Sequence, residues 1–350
     1  DETGEDWHWR GALTAFFDPE CMLISLSWQG SDQNRYLEWD PIGQVPVPGG
    51  FDLGPERNQA AWAGPGELFY STSTGEGAAT RSGWPGRVLR LARSVALEDA
   101  PMVFEAEAED LLAVALAQPA GDGSVLEATL RYKVIGDSET VIYPEGLNGK
   151  AIPLTSPTNT EVDFSPSHYA YIAADDGLDP AGALVLCEVN GNARHVVFSP
   201  RPYCAVASFL VRHDWLLWIE TDRMQPSIKA LDLRKPESEP VVITPPCEAQ
   251  SLAIYPHDPN RPWDGPLQLA TSGFLQPQTS WVFEIKDDAS DITFQKLIEA
   301  KPVFDAPGME VLLESAISED GTEVPYHIVL PKDRDGPEPI MQYGYGGYGV

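Results

Sequence analysis

The feature that most constrains this chain is a recurring unit of short apolar stretches separated by turns, with no convincing long amphipathic helix from Trp7 to about Phe304. Cys21–Ser27 reads as a strand, Gln29-Gly30-Ser31-Asp32 as a turn, and Arg35–Trp39 as an alternating second strand. The pattern returns at Gln59–Trp62 with Glu67–Ser71 and Arg87–Leu91, and at Asp110–Ala117 with Val125–Val134. It recurs at Glu161–Phe164 with Tyr169–Ala173 and Ala183–Cys187, then at Cys204–Val211 with Trp215–Glu220 and Ile228–Asp232. Ser251–Tyr255, Leu267–Ser272 and Ser280–Glu284 complete the series. A unit returns roughly every 40–50 residues, the interval of propeller blades of about four strands each. Six units can be delimited, and a seventh is sought in Val141–Thr155. An array of β-sandwiches is the alternative on pattern alone.

After Phe304 the register changes. Glu310–Ala316 is strand-like, Ser318-Glu319-Asp320-Gly321-Thr322 reads as a tight turn, and Val324–Pro331 as the returning strand. Pro325 suits an edge or a strand start. A Pro-rich lead-in precedes a short strand, Pro339–Gln342, and then Tyr343-Gly344-Tyr345-Gly346-Gly347-Tyr348-Gly349-Val350. Glycines permit left-handed backbone and close approach to a ligand. This order is that of the opening of an α/β-hydrolase sheet, where a loop after an early strand supplies an oxyanion-hole donor.

Composition removes several classes of function. The 350 residues are 43% hydrophobic, enough for a substantial core. With 53 acidic against 23 basic residues, the formal charge of -30 excludes the basic footprint of a nucleic-acid binder and disfavours anionic membrane surfaces. Cys21, Cys187, Cys204 and Cys247 lack CxxC spacing and read as free thiols. The six histidines are scattered, so neither a metal nor another cofactor is expected. No G-x-S-x-G elbow is present; Ser27, Ser31 and Ser82 read as turn serines, and His327 as a half-buried or exposed strand residue.

Taken together, a set of motifs resembles the prolyl oligopeptidases, especially their bacterial branch, over essentially the whole chain. They are Gly4–Ala12, Leu26–Asp32, Gly50–Leu53, Thr80–Val88, Thr271–Pro277, Ser318–Pro325 and Tyr343–Tyr348. The resemblance implies a mainly β chain: a seven-bladed β-propeller over residues 1–304, followed by the first strands of an α/β-hydrolase domain over 305–350. It implies a serine peptidase that cleaves short peptides after proline, with the propeller restricting access. Tyr345 then corresponds to the tyrosine that donates to the tetrahedral oxyanion, and Tyr348 to the aromatic that stacks on the substrate proline. Tyr343 has no assigned role. The Ser, Asp and His of the triad would come after residue 350, so this chain alone is expected to be inactive. Trp84 stands where the family usually has Tyr, and Tyr348 where it has a Phe-like residue; the added hydroxyl bears on proline preference. The expected partners are short peptides, with no nucleic acid and no membrane, and the expected state is a monomer. The family, the few cysteines and the lack of an N-x-S/T sequon point to the cytosol, with the periplasm as the alternative. A non-enzymatic propeller that binds a peptide or protein is the competing reading; the terminal hairpin and Gly/Tyr segment argue against it.

Overall fold

The computed structural model describes residues 6–344, apart from 121, 136, 155, 157–161, 176–177, 192, 305 and 338. The first sheet joins β1 (Trp7–Ala15), β2 (Asp18–Trp28), β3 (Asn34–Asp40) and β4 (Val45–Pro46) in order, with β5 (Asp52–Glu56) also pairing with β3. Five antiparallel meanders of four strands come next. The second sheet is β6 (Asn58–Gly64), β7 (Glu67–Thr72), β8 (Arg87–Ala92) and β9 (Met102–Glu105), with a short 3-10 turn at Leu97–Asp99. The third is β10 (Leu112–Pro119), β11 (Val125–Val134), β12 (Asp137–Tyr143) and β13 (Ile152–Leu154). The fourth is β14 (Val162–Phe164), β15 (His168–Ile172), β16 (Leu184–Glu188) and β17 (Arg194–Phe198). The fifth is β18 (Cys204–Val211), β19 (Trp215–Asp222), β20 (Gln225–Asp232) and β21 (Val241–Ile243). The sixth is β22 (Ser251–Pro256), β23 (Leu267–Ser272), β24 (Thr279–Phe283) and β25 (Gln295–Glu299). A separate hairpin, β26 (Met309–Ile317) with β27 (Glu323–Pro331), comes last.

The central strands carry almost unbroken apolar runs because both of their faces are covered. Side chains alternate between faces along a strand, and each face meets a different neighbour. On β7, Leu68 and Tyr70 pack with Leu23, Tyr36 and Phe51 of the first sheet, while Phe69 packs with Ala113, Ala115 and Ala117 of the third. On β15, Tyr169 and Tyr171 join Leu126, Ala128 and Ile142, whereas Ala170 faces Leu216 and Trp218 of the fifth sheet. On β19, Trp215 and Leu217 turn the other way, onto Leu267, Leu269 and Phe283 of the sixth. Each large apolar side chain buried this way contributes about 1.5–3 kcal/mol. Five such clusters link six consecutive sheets in chain order.

The propeller pattern is therefore present, but with six sheets among the described residues where the sequence led to seven. Val141–Thr155 is not a further blade. Its apolar residues belong to β12 and β13, the outer strands of the third sheet, with Ile142 and Leu154 buried (Thr155 lies outside the described residues). The six units delimited from the pattern are these six sheets, and the seventh is what the resemblance implies; the outer strands themselves leave little hydrophobic signal, since β13 and β21 have three residues each and β25 is exposed throughout.

The hairpin forms as the Asp-Gly signal requires. Gly321 adopts φ +88, its N–H donates to the Ser318 carbonyl at 2.9 Å, and Ile317 pairs with Glu323. Pro325 sits opposite Ser315 on a strand paired on one side, where its missing N–H leaves no ladder bond unmade. The strand expected at Pro339–Gln342 does not form. Ile340 and Met341 are 83% and 95% exposed, with no neighbouring strand to pair their backbone. An α/β-hydrolase sheet is not seen among the described residues; the two-stranded hairpin stands in its place after the sixth sheet.

Candidate functional site

In each meander the turns between the second and third strands, and the links from sheet to sheet, gather at one end. The β26–β27 hairpin lies against that end, next to the fifth and sixth sheets. Arg223, in the turn between β19 and β20, donates to Glu323 at the start of β27 at 2.8 Å. The Phe274 ring, in the β23–β24 loop, packs 5.2 Å from the His327 ring. Hydrogen bonds from Ser315 and Arg223 hold the Glu323 carboxyl below its ordinary pKa.

The turn that carries Arg223 is costly to make. Arg223 and Met224 have φ +46 and +64, and they join strands paired at Asp222–Gln225. Positive φ at both central residues is the two-residue hairpin geometry that Asn-Gly ordinarily supplies. Each L side chain held in that region costs about 1–2 kcal/mol. Tyr203 is also left-handed, at φ +64; its carbonyl accepts the Arg223 N–H at 2.8 Å and its ring lies 5.0 Å beneath the Arg223 guanidinium. Three strained residues thus present one cation to the hairpin.

At the same end, the loops of the first and second sheets enclose an open hollow of about 860 Å³, lined by Trp28, Asp32, Gln33, Glu56, Arg57 and Thr74 among others. Two of the sequence motifs meet here. Ser27 and Ser31 donate to the carbonyls of Ser31 and Trp28 at 2.7 and 2.6 Å, closing the Gln29–Gln33 turn. Thr80 and Ser82 both donate to the Leu111 carbonyl at 3.0 Å, anchoring the Thr80–Arg87 loop to the third sheet. The backbone N–H groups of Ala106 and Ala113 donate to Gly86 and Pro85. The turn role expected for the three serines is what the hydroxyls do.

Glu56 organises the floor. It accepts from Tyr70 (2.7 Å), the hydroxyls of Thr72, Ser73 and Thr74, and the Ser73 N–H (2.9 Å). Burial, and then the Glu56 carboxylate, pushes the Tyr70 phenol well above its ordinary pKa, so it stays a donor. Arg57 stands beside it, its guanidinium 5.4 Å from the centre of the Trp84 ring and 3.6 Å from Asp32. Sequence reading passed over both residues. The signal available was two opposite charges in succession, immediately before the alternating Asn58–Trp62 strand.

Tyr345 and Tyr348 lie outside the described residues; Tyr343 is described and is exposed. His327 is half-buried on β27, as expected, and its two ring nitrogens have no hydrogen-bond partner. The four cysteines are free thiols, with Cys187 and Cys204 buried.

No family model matches the chain. It is 23% identical over 366 residues to an uncharacterized peptidase, y4nA, of Sinorhizobium fredii, an alignment covering 99% of this chain and 49% of that protein. Among solved structures, a post-proline cleaving enzyme from Rickettsia typhi superposes with a TM-score of 0.78 at 18% identity, covering 95% of this chain and 51% of the enzyme. Oligopeptidase B from Trypanosoma brucei, with covalently bound antipain, superposes with a TM-score of 0.72 at 14% identity, covering 100% and 49%. The chain thus spans about half the length of each. The class these features define is a β-propeller. Its structural neighbours include prolyl oligopeptidases and oligopeptidase B, and the peptidase it aligns with covers 99% of this chain; at these identities what the chain shares with the solved structures is the fold.

Proposed function

We propose that this chain is the propeller-bearing part of a serine-type oligopeptidase that cleaves short peptides after proline. The observation that carries the reading is the pairing of a peptidase-type propeller, matched over 95–100% of the chain, with a hairpin held against one end of it by Arg223 and Phe274. A propeller serving only as a binding platform has no need of that appendage. In this reading residues 1–304 form the gating propeller and 305–350 begin the hydrolase domain.

The chemistry assigned to the last residues follows from acyl transfer. The reaction needs a nucleophile, a base to take its proton, an acid to orient the base, and donors for the developing oxyanion. Tyr345 would give its phenol O–H to that oxyanion. A donor preoriented toward developing charge stabilises the transition state more than the ground state. Tyr348 would stack on the proline ring, and its own hydroxyl loosens strict proline selection. The nucleophile, acid and base lie outside these residues, consistent with the missing G-x-S-x-G segment and the hydroxyls of Ser27, Ser31 and Ser82 spent on backbone carbonyls. The enzyme would work in the cytosol as a monomer, without a cofactor.

Two measurements test this. A fluorophosphonate probe should leave the 350-residue chain unlabelled; stoichiometric labelling at one residue overturns the assignment of the nucleophile. In a protein that joins this chain to a hydrolase domain, Tyr345→Phe should lower kcat about 10²–10³-fold with KM nearly unchanged. An unchanged kcat removes Tyr345 from the mechanism.

A further inference from the structure

The hollow between the first and second sheets holds a guanidinium whose environment differs from that of the chain's other arginines. Every other described arginine that faces a carboxylate has one of its oxygens within 3.3 Å. Arg57 reaches Asp32 only at 3.6 Å, and the carbonyls of Ser82 and Gly83 only at 3.4 Å. Its position is nonetheless fixed. The Trp84 ring lies beneath it, and Gly83 is left-handed (φ +79) with no side chain where a Cβ would come within 2.9 Å of Nη1. A flat cation seated on an aromatic face, with N–H groups under-committed and 38% of the side chain exposed, is preorganised to receive a planar anion.

The remaining polar groups of the hollow narrow the ligand. Glu56 already accepts from the hydroxyls of Tyr70, Thr72 and Thr74 and from the Ser73 N–H, and the Ser73 hydroxyl lies 2.9 Å from the Arg57 carbonyl, so these donors are committed and the carboxylate has no need of a cation. Asp32, 58% exposed at the rim, is the one acidic group a ligand must displace from Arg57. What stays available is a fork of donors, which matches an acceptor-only, two-oxygen group. We propose that Arg57 over Trp84 is a carboxylate subsite that takes the C-terminal α-carboxylate of a short peptide. The choice of a peptide rests on the peptidase reading above; the carboxylate chemistry does not.

The test uses the 350-residue chain and two probes, N-acetyl-trialanine with a free carboxylate and the same peptide as its C-terminal amide, titrated by calorimetry. The free acid should bind about tenfold more tightly than the amide, and added salt should reduce the difference because the site is open. Arg57→Gln should bring the acid down to the amide's affinity and leave the amide's affinity unchanged; Arg57→Lys, which keeps the charge but not the planar stack, should recover only part. Should Arg57→Gln not fold, Asp32→Asn replaces it: removing the competing carboxylate should tighten acid binding severalfold. Equal affinities in the wild type, no binding of either probe, a preference that survives Arg57→Gln, or weaker or unchanged acid binding in Asp32→Asn would each overturn the subsite. Hydrolysis separates the two readings. A preference for the acid with no cleavage by a protein carrying a hydrolase domain leaves the subsite standing and sinks the peptidase; cleavage with no preference does the reverse.

Discussion

The junctions among the first three sheets and those among the last three bury polar groups in opposite ways. In the first half, cations of the second sheet reach carboxylates on both sides. Arg93 pairs with the buried Glu38 of the first sheet, and Arg90 donates to Glu67 of its own sheet and to the buried Glu127 of the third, each at 3.0 Å. Each guanidinium also lies over a phenylalanine, Phe51 or Phe69. Burial works against the charge on Arg90, but Glu67 and Glu127 more than offset it, and its pKa is raised. In the second half a loop does the work. The β22–β23 loop crosses to the fourth sheet, where Trp263 Nε1 donates to the Phe164 carbonyl at 2.6 Å, and its own carbonyl receives the His213 N–H at 3.0 Å. Arg212 is buried against the carbonyls of Pro262 and Gly265, with no carboxylate in ion-pair contact among the described residues. Burial lowers its pKa to about 10. Nearby, Asp163 accepts the Val211 N–H at 2.5 Å, and burial pushes its pKa up to about 6. Paired charges stay charged; unpaired ones, held only by dipoles, are drawn toward neutrality.

That contrast can be broken at its strongest point first. Trp263→Ala removes a buried indole from the cluster shared by the third and fourth sheets, together with its bond to Phe164. It should destabilise the chain by about 3–5 kcal/mol in urea unfolding; a loss under 1 kcal/mol would mean the loop is not a strap. Arg90→Met should cost less, about 1.5–3 kcal/mol, because Glu127 keeps the Leu147 N–H at 2.7 Å while losing its cation. If the costs of Arg90→Met and Glu127→Gln simply add in the double variant, the pair is not what couples the second and third sheets.

The smallest effect is a pH dependence, and its sign is diagnostic. Asp163 has a folded pKa above its unfolded one, so its folded form favours the protonated state. Its contribution to stability is full below about pH 4 and is lost as pH rises through about 6. Asp163→Asn keeps an acceptor for Val211 and should be more stable than the wild type at pH 7.5, with the advantage gone at pH 4. Unfolding midpoints at the two pH values decide it. An advantage of the same size at both would show that Asp163 does not titrate in this range.

Much of the fold could be read from the chain. Val125–Val134, Cys204–Val211 and Leu267–Ser272 match observed strands residue for residue, because apolar and β-branched residues recur along each one. The six units of the pattern are the six sheets observed, whereas the seventh blade that the resemblance implied is not seen among the described residues. Pro339–Gln342 looked like a strand for its apolar residues, but a strand exists only with a partner, and none is beside it among the described residues. Of the site, the turn at Gln29–Asp32 and the Thr80–Val88 motif were visible. Their meeting around Arg57 was not, because that contact joins loops of different sheets and no local pattern encodes it.

The two-faced central strands bear on where such a chain is free to vary. Leu68 and Tyr70 serve one junction and Phe69 the next, so inserting one residue in β7 would exchange the neighbours of two junctions at once. A change of length is therefore tolerated only between strands. The loops available for it include the one between β7 and β8 that carries Trp84, so drift in chain length is channelled to the end where the carboxylate subsite is proposed. An architecture this strict in its ladders leaves that end as the part most open to diversification.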